Sequence, residues 1–234
     1  MKGKVFKFIY SVVYKFLKDY FIRVYKSEML EGAGLVAREQ SGVLGRVDCG
    51  KHRLVLPLQH RFRENNPVIA SYGCYFLCIL FIALVVKEIK NRVGKCFNEF
   101  EVDLLYKSFA SLGGLRAANS YVESPNLILA SLGLDEYVCY QDKHYSADYA
   151  AEDADILIGQ YKDESSSLYH FAVLGSVGEV VWDSLGNSSA VRSGSLSSLR
   201  VFKLLDRKLI SAVKQRLLDY KQQFLNLKES LEEI

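Results

Sequence analysis

Proline is almost missing from this chain. Three residues in 234 leave no room for a proline-rich linker, and a composition that is half hydrophobic argues against a long disordered segment. Cysteine is sparse and scattered. The five positions, 49, 74, 78, 96 and 139, contain no Cys-x-x-Cys pair, which excludes a disulfide framework and a zinc knuckle and points to a reducing compartment, the cytoplasm. The four histidines, 52, 60, 144 and 170, stand apart, so no metal or other cofactor is expected. The main apolar run, Cys74 to Val86, has thirteen residues, short of the about 20 that a bilayer-spanning helix needs. A secretory signal is not expected either. Lys15 and Lys18 break any apolar stretch near the start, and no small-residue cleavage site follows. Positive charge is lacking where a nucleic-acid surface would need it. Residues 1–26 hold seven Lys/Arg against Asp19 alone, while the rest of the chain carries 23 basic and 26 acidic residues. No polyanion partner is expected for that body.

What remains fits one domain with helical extensions. Residues 1–30 form a basic amphipathic arm. Within 4–26, Lys4, Lys7, Ser11, Lys15 and Lys18 make a polar stripe, and Val5, Phe8, Ile9, Val12, Phe16 and Tyr20 fill the other side. Such a helix either docks on its own domain or makes a peripheral membrane contact. Residues 31–53 are glycine-rich and irregular and read as a linker. Leu54 to Gln59 is strand-like, and Pro67 predicts extended chain up to Ser71, with Ser71 as N-cap of a helix buried on nearly all sides. Further helices are predicted over Phe97–Leu112, ended by Gly113-Gly114, and from Ser124-Pro125 to Leu132.

The period then changes from helical to alternating. Ala154–Gln160, Tyr169–Leu174, Glu179–Trp182 and Arg200–Leu205 read as strands of an antiparallel sheet, with Ser184–Ser198 as a loop. The fold class is α+β. From Asp206 to Ile234, Ile210, Val213, Leu217, Tyr220, Phe224, Leu227, Leu231 and Ile234 make a heptad seam. A parallel self-dimer would set Arg216 against Lys221 without an acidic partner, so the seam is expected on its own domain or on an antiparallel helix.

Candidate chemistry starts at Cys74. In the first turn of the central helix a sulfur meets the positive end of the helix dipole, which favours an anion, and Gly73 beside it lets a backbone approach closely. A thiol nucleophile needs a base and a group to orient that base. His170 opens an apolar alternating strand, and Asp183 follows Val180-Val181-Trp182. If these strands pair through the turn at 175–178, both side chains emerge at one end. His144, in an Asp-Lys-His-Tyr turn, is the alternative base. Plainer readings stand beside each residue: Cys74 as an inert core thiol like Cys78, Asp183 as a turn residue, and Tyr72 and Trp182 as packing.

The ordered set Gln59, Ser71-Tyr72-Gly73-Cys74, His170-Phe-Ala-Val-Leu-Gly175 and Val181-Trp182-Asp183-Ser-Leu-Gly186 resembles the papain-like cysteine peptidase superfamily. It is most similar to the branch of bacteriocin-leader peptidases and their stand-alone relatives, over about residues 54–205. The chain also resembles an uncharacterised family of plasmid- and phage-borne bacterial proteins, a likeness that adds no activity. The first resemblance implies a nucleophile helix packed on an antiparallel sheet. It assigns Cys74 as nucleophile, His170 as general base and acid, Asp183 as the residue orienting the imidazole, and Gln59 as oxyanion donor. Two departures stand out. Bulky Tyr75 and Phe76 follow the cysteine where the family has small residues, and Ser184 follows the aspartate where proline is common. The implied function is a cysteine peptidase or thiol acyl hydrolase acting on peptides or peptidoglycan cross-peptides. The alternative is a non-catalytic protein of the same fold that binds a partner or a membrane surface. Oligomeric state is left open by the sequence.

Overall fold

A computed structural model describes residues 56–232 apart from 92–96, 146–147, 164–167 and 176–177. The basic arm, the linker, Cys49, His52 and Cys96 lie outside the described residues. Among the described residues, six α-helices and a five-stranded antiparallel sheet make an α+β unit. Among the described residues no helix is long and apolar enough to cross a membrane.

Leu54 and Val55 of the expected strand lie outside the described residues; Leu56–Leu58 form no strand, and a short 3-10 turn, Gln59–Phe62, follows. Next comes helix α1, Pro67–Tyr72, where extended chain was expected. The reason is local. Asn66 caps the helix by accepting from the Ile69 N–H at 3.1 Å, and Pro67 sits at its first position, where a missing N–H costs nothing. Ser71 lies inside α1 and caps nothing.

Gly73 separates α1 from helix α2, Cys74–Asn91. A Cβ on Gly73 would meet the Ile69 carbonyl oxygen at 2.6 Å and its Cγ2 at 2.7 Å, so only glycine lets the two helices abut this closely. The room that a side chain would have taken is filled by α1 itself.

Helix α2 is the centre of the core, with Phe76 to Val86 all buried. Apolar residues on every face are what a helix surrounded on all sides requires. Phe76 meets Tyr106 and Phe109 of α3, Glu99–Ser111, edge to face. Phe81 stacks on Trp182 of the sheet at 4.9 Å and meets Tyr220 edge to face at 5.4 Å. Each such aromatic contributes about 1.5–3 kcal/mol through burial. Helix α3 starts in a capping box, Asn98 with Glu101, and α4, Pro125–Ser131, is capped by Ser124.

The sheet runs in the order β1-β5-β2-β3-β4. Its strands are β1 Val138–His144, β2 Asp155–Lys162, β3 Tyr169–Leu174, β4 Val180–Asp183 and β5 Ser195–Leu204. The edge strand β1 was not expected, because Gln141, Asp142 and Lys143 hide its alternation. The expected serine-rich loop instead contains helix α5, Ser189–Ser193, and the start of β5. One sheet face packs on α2. The other gathers Leu157, Leu174, Leu199 and Val201 under Tyr149 and Tyr161.

Helix α6, Arg207–Glu232, lays the first part of its heptad seam on its own domain. Val213, Leu217 and Tyr220 are buried, and Arg216 and the Tyr220 hydroxyl both donate to Glu88 of α2. Glu88 is thus the acidic partner that Arg216 would lack in a parallel self-dimer. The side chains of the seam from Phe224 onward lie outside the described residues.

Candidate active site

Three sequence positions far apart in the chain meet where α2 begins. Strands β3 and β4 pair in antiparallel register, Ala172 opposite Asp183 and Val173 opposite Trp182. Alternation puts His170 on the same side as Ala172, so imidazole and carboxylate emerge together at the strand ends. The His170 Nε2 N–H donates to Asp183 Oδ1 at 2.6 Å. Both side chains are buried.

The aspartate is held from behind. The Leu185 N–H donates to Oδ1 and the Ser188 N–H to Oδ2, each at 2.9 Å. These bonds come from the turn after β4, where Gly186 adopts a φ of +82°, a conformation that glycine reaches without strain. Burial pushes the Asp183 carboxyl up, but the bond and charge of His170 and the two amides outweigh it, so the group stays below its ordinary 3.8.

Cys74, the first residue of α2, is the imidazole's other partner. Burial alone would pull His170 down; its hydrogen bond to Asp183 and the neighbouring Cys74 outweigh that and raise it from 6.5 to about 9. With Nε2 committed to the carboxylate, Nδ1 is the ring nitrogen left for the sulfur. The result is a bonded carboxylate and imidazole with a thiol beside them at a helix N-terminus. Cys78, one turn later, behaves differently. Its Sγ–H donates to the Phe171 carbonyl at 3.4 Å, and burial, with the charges of Cys74 and Asp183, pushes its thiol well above the usual range. It is the inert core thiol of the pair.

Gln59 is buried beside this row. Its Nε2 donates to the Ala70 carbonyl at 3.1 Å, and its Oε1 accepts from the Ser184 hydroxyl at 2.9 Å. The Gln59 N–H also donates to the Ser184 carbonyl at 2.7 Å. Ala70 precedes Cys74 by four residues, so its carbonyl is the one that a continuous helix would give to the Cys74 N–H. The break at Gly73 puts that N–H among the first of α2, which lack intrahelical acceptors. Nε2 of Gln59 keeps one hydrogen beyond its bond to Ala70. Ser184, fully buried, was read from the sequence only as a departure from the family's proline, and its bond to Gln59 was not foreseen. Its only signal was its place directly after Asp183.

The bulky residues after Cys74 do not collide with the thiol. Phe76 points into the core, and Tyr75 leans on Phe171, ring centroids 4.7 Å apart. Tyr72 corrects the packing reading, being 60% exposed. Exposed Leu168, Tyr169 and Leu185, like Tyr72, each stand one or two residues in sequence from Cys74, His170 or Asp183. Trp182 is packing, stacked on Phe81, with its indole N–H buried and unpartnered. His144 lies at the end of β1 against Tyr149, 4.4 Å between rings, and His60 is exposed in the 3-10 turn. Among the described residues no group of three His, Cys, Asp or Glu is placed to hold a metal ion.

No curated protein and no solved structure matches this chain. A family match does exist, over residues 58–204, and it spans Gln59, Cys74, His170, Asp183 and Ser184. The chain belongs to that family, described as protein of unknown function, DUF261.

Proposed function

We propose that the chain is a papain-like cysteine peptidase, or a related thiol acyl hydrolase, that cleaves an amide bond at Cys74. One observation carries this reading: His170 is hydrogen-bonded to the buried carboxylate of Asp183 and interacts with Cys74 at the start of α2. A structural histidine needs neither a thiol nor a buried aspartate beside its ring; a general base uses both.

The chemistry then follows from the geometry. Cys74 gives its proton to His170 Nδ1, and the sulfur adds to the substrate carbonyl. Asp183 holds the ring in place and stabilises its positive charge. The Cys74 N–H and the remaining N–H of Gln59 donate to the oxyanion. As the C–N bond breaks, His170 returns the proton to the leaving amine. A water, deprotonated by the same ring, then hydrolyses the thioester and frees the acid. Every step uses one proton carrier. The exposed side chains of Tyr72, Leu168, Tyr169 and Leu185 next to these residues in sequence suit a peptide substrate, with peptidoglycan cross-peptides as the second choice.

Trapping the intermediate tests this. Mixed with a library of acylated peptides and quenched in acid, the protein should carry an acyl group on Cys74 by mass spectrometry, and Cys74→Ala should abolish both adduct and hydrolysis. Hydrolysis that survives Cys74→Ala, or an acyl group found on another cysteine, refutes the assignment.

A further inference from the structure

Beside the rings of Tyr75 and Phe171 lies a positive charge that no carboxylate among the described residues meets. Arg200 of β5 is 9% exposed. Its Nη1 donates to Ser198 Oγ at 2.8 Å and to the Leu199 carbonyl at 3.4 Å, and its Nη2 donates to Gln160 Oε1 at 3.3 Å. All three acceptors are neutral. Among the described residues no carboxylate oxygen forms an ion pair with it. Two ring faces complete its surroundings, Phe171 at 5.3 Å and Tyr75 at 5.7 Å from the guanidinium carbon.

Those rings locate it. Tyr75 follows Cys74 and Phe171 follows His170, and they lean against each other at 4.7 Å. The guanidinium therefore lies on the sheet face behind the residues that adjoin the nucleophile and the base. A guanidinium stays charged at every accessible pH, and buried charges are ordinarily met by an opposite charge. Neutral acceptors and ring faces orient this one without neutralising it. Its planar fork matches a carboxylate better than any other common group.

We propose that Arg200 sets the specificity of the Cys74 site by pairing with a substrate carboxylate one or two residues from the scissile bond, so that acidic peptides are preferred. This rests on Cys74 being the nucleophile. An extended peptide advances about 3.5 Å per residue, and the guanidinium carbon lies 5.7 Å from the ring of Tyr75, the residue after Cys74. Ser198 and Gln160 hold the fork still, which lowers the ordering cost when the carboxylate arrives. The carboxylate belongs either to a glutamate side chain or to a free peptide terminus, and the two sources are separable.

The test uses two pairs of peptidyl electrophiles that label thiols. One pair differs only by Glu or Gln one or two residues from the reactive carbon, the other by a free terminal acid or its amide. Labelling rates at Cys74 are read by mass spectrometry in the wild type, Arg200→Met and Arg200→Lys, and the acid-to-amide ratio is taken within each protein, so that a general loss of activity cancels. In at least one pair the wild type should favour the acid by about tenfold or more. The ratio should fall to about one in Arg200→Met and lie between the two in Arg200→Lys, which stays informative should the methionine variant not fold. Preference in the first pair alone identifies a side chain, in the second a terminus, and either supports the proposal. A ratio near one in the wild type for both pairs, or a preference that persists in Arg200→Met, overturns it while leaving the nucleophile intact. No labelling of Cys74 by any probe overturns both.

Discussion

Replacing Asp183 by asparagine removes the charge from the middle of the row while keeping its shape. The carboxylate accepts from three donors, the His170 ring and the N–H groups of Leu185 and Ser188. An amide offers one oxygen and one NH2, so whichever way it turns, at least one of those donors faces a donor. Losing a charge-assisted bond and stranding a buried N–H costs about 2–5 kcal/mol together. The ring reports the change separately. His170 is raised from 6.5 to about 9 against the pull of burial, which corresponds to about 3 kcal/mol between its two protonation states. A group raised on folding contributes stability that is fully present below 6.5 and is lost as pH climbs through about 9. Asp183, lowered on folding, contributes stability that is present above 3.8 and is lost as pH falls through its lowered value. The wild type should therefore lose stability between pH 6.5 and 9 more steeply than Asp183→Asn, with both measured by urea unfolding. In the variant the ring, left with burial and Cys74, should titrate below its wild-type value in an NMR pH series. Equal midpoints for His170 in the two proteins, or parallel stability curves, would refute the idea that the carboxylate controls the imidazole.

Other substitutions probe the frame around the row. Gly73→Ala must push its new methyl into Ile69 at 2.6 Å and should cost about 1–3 kcal/mol in denaturant unfolding; a variant as stable as the wild type would mean that the junction of α1 and α2 is not tight. Ser184→Ala removes the donor to Gln59 Oε1 and should cost about 1–3 kcal/mol, with turnover falling more than Cys74 alkylation does. Equal losses of both would show that Ser184 does not act through Gln59. Phe81→Ala empties the space between Trp182 and Tyr220 and should cost about 3–5 kcal/mol, read as a lowered midpoint with an unchanged slope.

Much of this frame was legible in residue patterns, and the failures have physical causes. The apolar run from Cys74 announced a helix buried on all sides because no partly exposed helix lacks a polar face over that length. The pairing of His170 with Asp183 could be read from two alternating strands and a short turn, since register fixes which side chains share a face. Pro67 misled because a proline that cannot lie within a helix is well suited to begin one, and the capping Asn66 was the signal. Strand β1 was hidden by its charged residues at the sheet edge. Helix α5 occupies five residues of a serine-rich stretch, too short for periodicity to register. Ser184 and Arg200 carry no pattern of their own. A serine after an aspartate and an arginine in a strand gain meaning only from what the fold brings against them, the Gln59 carboxamide in one case and the paired rings of Tyr75 and Phe171 in the other.

The central claim, that Cys74 and His170 work as a reactive pair, is tested most directly by the rate at which a small neutral alkylating agent labels each cysteine of the native protein at pH 6, with the modified residue mapped by mass spectrometry. The account predicts that Cys74 reacts far faster than Cys78 and Cys139, and that His170→Ala brings its rate down to theirs. Equal labelling of the cysteines, labelling of Cys74 only after unfolding, or a Cys74 rate untouched by His170→Ala would contradict it.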